Sequence, residues 1–193
     1  MATLAPGPAR TLTLPDLPCD QCTRPRSLDL STGGAACITP WCSAAGVDTP
    51  LWWLLDAAGI DHNPAGTQRP AHHGMPIPWI TPVTLGPDAQ RRPHWLMIHR
   101  GRLGAAQRQW LCQHCGLAAD QEAATVIVDD SGCCTTSAPL HPDCAEVSVQ
   151  RCPHLARSAA TAVLVSPGQL RRTGEIAPEL GQTETWRVPT GQF

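Results

Sequence analysis

The spacing of the cysteines constrains this chain more than any other feature. CDQC, Cys19–Cys22, and WLCQHCG, Trp110–Gly116, each set two cysteines with two residues between them, and each is followed downstream by a second ligand-type pair. Such pairs suit a knuckle turn, in which both thiolates face one ion while backbone N–H groups point at the sulfurs. The opening MATLAPGPARTLTLPDLP has one Arg and lacks the apolar stretch of about 7–15 residues that a secretory signal needs. All ten cysteines are therefore expected in a reducing cytosol, where thiols serve as metal ligands more readily than as disulfides.

Cys112, Cys115, His141 and Cys144 make the stronger set. Gly116 permits the tight bend after the first pair. His141 and Cys144 are three positions apart, so both project from one helical turn. A strand and a turn lie between the pairs. Knuckle, hairpin, then a helix bearing the last two ligands is the order of a treble-clef zinc finger. Three cysteines and a histidine complete a tetrahedron and leave no open position, which favours a structural ion over a catalytic one. The competing reading takes them as buried small hydrophobes. Cys19, Cys22, Cys37 and Cys42 form a second candidate. Their gaps of two, fourteen and four residues sit near the zinc-ribbon pattern of two pairs about 15–20 residues apart. Pro40 and Trp41 fall inside its wider second pair, and only some of these thiols need ligate.

Cys133, Cys134, Cys152 and His154 are left over; they extend a site, or Cys152 simply packs under a helix that Pro153 ends. His62, His72 and His73 read as a solvated loop before a metal site. His114, inside the knuckle, is expected to point outward.

All 14 basic residues are Arg, Tyr is absent and seven Trp carry nearly all aromatic content. GC-rich codons produce that bias. A net charge of −2 argues against a general polyanion binder, though not against a local basic face. No run of about 18 apolar residues exists, so no membrane span is expected.

The expected organisation is one compact domain of α+β class, small and zinc-stabilised. It comprises a flexible arm over 1–18, the N-terminal cysteine cluster and a short helix over 19–60, and a Pro-rich connector over 61–93. A treble-clef-like module over 94–157 and a strand with a tail over 158–193 follow. In DTPLWWLLDAAGID, Asp48 or Thr49 caps a helix, Pro50 opens it, Gly59 stops it, and Leu51, Leu54, Leu55 and Ala58 share a face. PIPWITPVTL suggests an edge strand and ATVIVDD and TAVLVSP suggest further strands. Residues 94–111 turn helical toward their end, and HPDCAEVSVQRC reads as a short helix.

No phosphate loop, no Gly-x-Ser-x-Gly and no His-Glu-x-x-His occurs. An HNH-type nuclease shares the treble-clef frame but needs a hairpin histidine, and here the turn carries Asp129 and Asp130 instead. The chain leans away from enzymes without excluding one. Between Ala89 and Ala119 there is no acidic residue, while Arg91, Arg92, Arg100, Arg102 and Arg108 interleave with His94, His99 and Trp95. Arginine forks pair with phosphates and stack on bases, so DNA or RNA is the expected partner; a solvated face is the competing reading. A protein–protein adaptor with exposed Trp anchors is the alternative function.

The order MPIPWITPVT, WLCQHCG, PLHPDCAEVSVQRCPHL, then a late Trp, resembles an uncharacterised family of small Cys/His-rich, treble-clef-like proteins from actinobacteria and their phages and plasmids. The resemblance spans roughly residues 74–190. Cys112, Cys115, His141, Cys144 and Cys152 match its ligand-like positions; adjacent Cys133 and Cys134 depart from it. It implies a bacterial cytoplasm or an infected cell, one or two structural zinc ions, and no mechanism.

Overall fold

A computed structural model gives the fold and describes residues 11–152, 155–177 and 181–189. It is an α+β structure with few helices and many short strands. Two compact units replace the expected single domain: one takes the chain up to His62 together with Pro82–Met97, the other takes Asn63–Thr81 and the chain from Ile98. The Pro-rich stretch is thus no spacer. Its prolines donate nothing to ladders, but Ile77, Ile80 and Val83 are buried and tie each part of it into a core.

In the first unit, β1 (Thr11–Pro18), β2 (Pro25–Asp29), β3 (Gly34–Cys37) and β4 (Thr49–Pro50) pair in that order, all antiparallel. The arm expected over 1–18 is therefore a strand from Thr11 onward; residues 1–10 lie outside the described residues. Leu14 and Leu17 are buried, which holds the segment down, and the register shifts between Leu14 and Pro18, where Pro15 brings no N–H. Against this sheet packs α1 (Leu51–Ala57), burying Leu51, Leu54 and Leu55. Ala58, expected on the same face, is exposed. Neither Asp48 nor Thr49 caps α1: Pro50 sits at the cap position, and the Leu51 N–H donates to Gly33 O. Gly59, at φ +64°, ends the helix as expected.

The short strands β5 (Ala71–His72) and β6 (Met75–Pro76) form a hairpin in the second unit. In the first unit β7 (Val83–Leu85) pairs with β8 (Arg91–Pro93), and Asp16 of β1 accepts from the Leu85 N–H. The edge strand expected over Pro76–Leu85 is thus two separate pieces.

The second unit is built around one strand. Following α2 (Arg100–Gln109), β9 (Ala124–Val128) is buried along its whole length. It pairs antiparallel with β10 (Thr161–Val165), and on its other side bridges to Leu140 and Cys134. Beyond α3 (Pro142–Arg151), β11 (Arg171–Thr173) pairs with β12 (Thr185–Arg187). The two faces of β9 serve different cores. Ala124, Val126 and Val128 pack with Val163, Val165, Trp110 and Trp186, whose rings stack with centroids 5.4 Å apart. Ile127, pointing the other way, packs with Leu140, Ala145, Cys112 and Cys115. The period-2 alternation of one strand thus sets a tryptophan core against a cysteine cluster.

Candidate metal centres

Cys112, Cys115, His141 and Cys144 come together with their ligand atoms all within 4.8 Å of one another. The knuckle closes through two hydrogen bonds: Gly116 N–H to Cys112 O, and Cys112 N–H to Leu117 O, each 2.7 Å. Gly116 sits at φ +77°, and a Cβ there would lie 2.6 Å from the Ala65 methyl and 2.8 Å from the Trp79 ring. Only glycine fits. His141 caps α3 in extended conformation, Pro142 occupies the first turn, and Cys144 faces His141 one turn on.

The imidazole of His141 has its Nδ1 3.3 Å from Cys115 Sγ and 3.9 Å from Cys144 Sγ. Its Nε2 lies 2.9 Å from Ala118 O, a contact that requires the proton on Nε2 and leaves the Nδ1 lone pair facing the sulfurs. A hydrogen bond from the Cys144 thiol, joined by the amides of Cys115, His141 and His114, brings Cys112 down to about 4. Cys144 moves up, chiefly because of that same bond to Cys112, and burial pushes Cys115 up. Three thiols this close cannot all lose their protons against one another. A divalent cation at their centre would remove that repulsion.

The second group is Cys19, Cys22, Cys37 and Cys42, again with ligand atoms within 4.8 Å. Cys19 and Cys22 lie in the turn after β1, Cys37 ends β3, and Cys42 sits in the following loop. Cys19 Sγ is 3.7 Å from Cys42 Sγ, and Cys22 Sγ is 3.6 Å from Cys37 Sγ. Zn–S bonds of about 2.3 Å in a tetrahedron place sulfurs about 3.8 Å apart, so these separations fit a shared ion. They are far beyond a disulfide at about 2.05 Å, and all ten cysteines are free. The Arg24 amide, with the Thr39 hydroxyl, lowers Cys22 to about 6. At Cys42 the Ala44 amide favours the thiolate, but burial and the thiols of Cys19, Cys22 and Cys37 outweigh it and push the group up to about 12. Each group of four could hold one metal ion.

Cys133, Cys134 and Cys152 fall outside both groups, as do His62, His72 and His73, among the described residues; His154 lies outside them. His114 does not point outward. It is buried, and its Nδ1 lies 3.2 Å from Ser148 Oγ, which donates to Cys144 O, so it links the knuckle to α3.

The five arginines expected to form one basic face are divided. Arg91 and Arg92 belong to the first unit and Arg100, Arg102 and Arg108 to the second. Arg102 is committed to structure: its Nη1 donates to Asn63 O and Trp79 O, and its guanidinium lies over the Trp79 ring. Arg91 donates to His62 O, and Arg92 lies 3.8 Å from Asp88. Arg100, exposed, donates to Thr183; Arg108 is exposed near the end of α2.

Residue pattern alone missed the cradle of the C-terminal knuckle. Gly66 N–H donates to Cys115 O, Trp79 N–H to His114 O, and Ile80 N–H to Gln113 O. Asn63 holds that cradle by donating to Pro78 O and Thr81 O, and Arg69 donates to Asn63 Oδ1, Pro64 O and Ile77 O. Arg69 also puts a cation near Cys112, Cys115 and Cys144, while burial lowers its own pKa. Nothing in the spacing of Asn63 or Arg69 signals this.

No family model, curated protein or solved structure matches the chain, so the functional reading rests on these geometries and the family resemblance on its residues alone.

Proposed function

We propose that each tetrad holds one structural zinc ion and that the protein is a non-catalytic, zinc-organised binding protein whose partner is nucleic acid. The observation that carries the metal reading is the pair of thiol separations, 3.6 and 3.7 Å, at tetrahedral-edge spacing in the N-terminal group. Soft thiolates with one imidazole select zinc over harder, oxygen-seeking ions. In the C-terminal group, the run of knuckle, β9 with its bridges to Cys134 and Leu140, and α3 with His141 at its N-cap and Cys144 in its first turn supports a treble-clef-like arrangement. The N-terminal group, with two turns at the end of a sheet, supports a ribbon-like one.

Four protein ligands per ion leave no position for substrate or water, which supports a non-catalytic role. The HNH alternative finds no support at the turn: Asp129 accepts from the Ser131 N–H and hydroxyl and from the Cys133 N–H, so its carboxylate holds the turn closed. The nucleic-acid reading draws on the exposed Arg100 and Arg108. An adaptor role draws on Trp53, Trp95 and Leu96, exposed in the first unit. Elemental analysis of the purified protein tests the metal reading directly. Two zinc ions per chain are expected, falling to one in Cys112→Ser; zinc-free folded protein overturns it.

A further inference from the structure

The loop that carries Cys42 also carries side chains that folding leaves outside. Trp41 is 76 % exposed, Ile38 65 % and Val47 56 %, although the thiols beside them, Cys37 and Cys19, are 1 % exposed. Large apolar groups at the rim of a closed metal site do nothing for the ion, and an exposed indole is costly unless something covers it. Across from it, the Arg24 guanidinium lies over the Trp41 ring, 5.5 Å from the centroid. Among the described residues that guanidinium makes no hydrogen bond and no ion pair. The nearby acid, Asp20, is taken by Arg26 at 2.8 Å. Here a flat aromatic face and a cation with its N–H fork unspent stand side by side.

We propose that Trp41 and Arg24 form a platform for single-stranded nucleic acid, with a base stacked on the indole and a phosphate taken by the guanidinium. The inference rests on the nucleic-acid reading above and moves it to residues outside the five arginines expected from the sequence. Single-strand binding combines these two elements: a π-face that any base can use, and a basic group that tracks the backbone. A guanidinium can keep its flat face over the ring while its N–H edge meets the phosphate. With one face toward Arg24 and most of its surface in solvent, the indole presents its other face. Ile38 and Val47 add exposed apolar surface to the same loop.

A peptide fits less well. The loop spends its own N–H groups internally, Cys42 on Thr39 O, Ala45 on Cys42 O, Gly46 on Cys37 O and Val47 on Ala44 O. Few donors are left to align a second polypeptide, whereas stacking needs none. The loop is also tied down at both ends by the tetrad, so the platform is preorganised and little entropy is lost on binding.

The test uses the full-length zinc-loaded protein and a fluorescein-labelled 12-mer of mixed sequence, as single-stranded DNA and as RNA, read by anisotropy. Trp41→Ala is expected to weaken binding by about tenfold, and Trp41→Phe to retain most of it. Arg24→Gln is expected to flatten the slope of log affinity against log salt by about 0.7, one phosphate contact on a single strand. Zinc content and melting temperature should stay at wild-type values in the Trp41 variants, because the side chain is at the surface. Absence of binding by the wild type overturns the proposal, as does a Trp41→Ala isotherm that superimposes on it. A glutamate-rich peptide that binds more tightly than the oligonucleotide and is lost in Trp41→Ala overturns it in favour of an acidic protein partner. Failure of the zinc reading shows up separately, as metal-free wild type in the elemental analysis made before any oligonucleotide is added.

Discussion

The two Cys-x-x-Cys knuckles have the same backbone and different residues at the point that matters. In the C-terminal one, Gly116 N–H bonds to Cys112 O and Cys112 N–H to Leu117 O; in the N-terminal one, Thr23 N–H bonds to Cys19 O and Cys19 N–H to Arg24 O. The residue after the second cysteine is left-handed in both, at φ +77° for Gly116 and +59° for Thr23. Glycine is demanded at the first site because Ala65 and Trp79 close over it. At the second, Thr23 is exposed and its hydroxyl donates to Cys22 O, so a β-branched residue is accepted at a conformational cost. A knuckle sealed inside a core dictates its turn residue. One at the rim of a sheet tolerates a poor one.

Their surroundings differ in the same sense. Cys112 and Cys115 belong to an apolar cluster with Ile127, Leu140 and Ala145, so the candidate metal site and the core there are one object. The N-terminal tetrad stands beside a separate leucine core of the β1–β4 sheet and α1. Breaking each tetrad should separate these cases. Cys112→Ser is expected to have the largest effect, since structural zinc supplies on the order of 10 kcal/mol of folding free energy. Thermal unfolding should lose the transition of the second unit outright. Cys22→Ser should release one zinc with a smaller shift, the leucine core holding the sheet; equal shifts in the two variants would contradict the contrast.

Next in size, Gly116→Ala combines a strained φ with a collision against Ala65 and Trp79. A loss of about 3 kcal/mol is expected in chemical denaturation. A loss below about 0.5 kcal/mol would mean that the cradle yields.

A weakness of similar size, independent of metal, lies in the first unit. His94 is buried with Nε2 2.9 Å from Thr84 Oγ1, and burial lowers its pKa from 6.5 to about 4, with Asp16 opposing. Between those values the unfolded chain binds a proton that the folded chain does not. Stability is therefore complete above pH 6.5 and falls as the pH drops, by about 3 kcal/mol near pH 4. Acid also strips thiolates of metal, so the difference between wild type and His94→Gln isolates this slope. Parallel pH curves for the two proteins would dismiss it.

The smallest expected effect is the reciprocal of Gly116→Ala. Thr23→Gly relieves a left-handed threonine and loses its hydroxyl bond, for a net gain of about 1 kcal/mol with zinc content unchanged. Destabilisation instead would show that the Thr23 hydroxyl, not the turn, holds the N-terminal knuckle.

Both tetrads were legible in the residues because ligand spacing is local: a knuckle needs two residues between its cysteines, and a helical turn needs two between His141 and Cys144. The helices α2 and α3 and the strands β9 and β10 were legible for the same reason, as apolar periodicity and turn residues are written within a dozen positions. From Thr11 onward the expected arm is a strand instead, because prolines masked the inward leucines of β1. For the five arginines, charge along the chain does not reveal what each guanidinium meets. Arg102 is consumed by the carbonyls of Asn63 and Trp79, a partner choice made some 20 to 40 residues away in sequence.

By itself, then, the sequence determined the members of the two Cys/His tetrads, the turn chemistry at Gly116 and the class of short-element fold, all functions of near neighbours. Tertiary structure alone decided that the chain makes two units and that a Pro-rich stretch cradles the C-terminal knuckle. It also decided that Trp41 and Arg24 stand outside while Arg102 is spent within. Those outcomes depend on which distant groups satisfy buried donors and which surfaces are left uncovered, and no short window of residues encodes that sum.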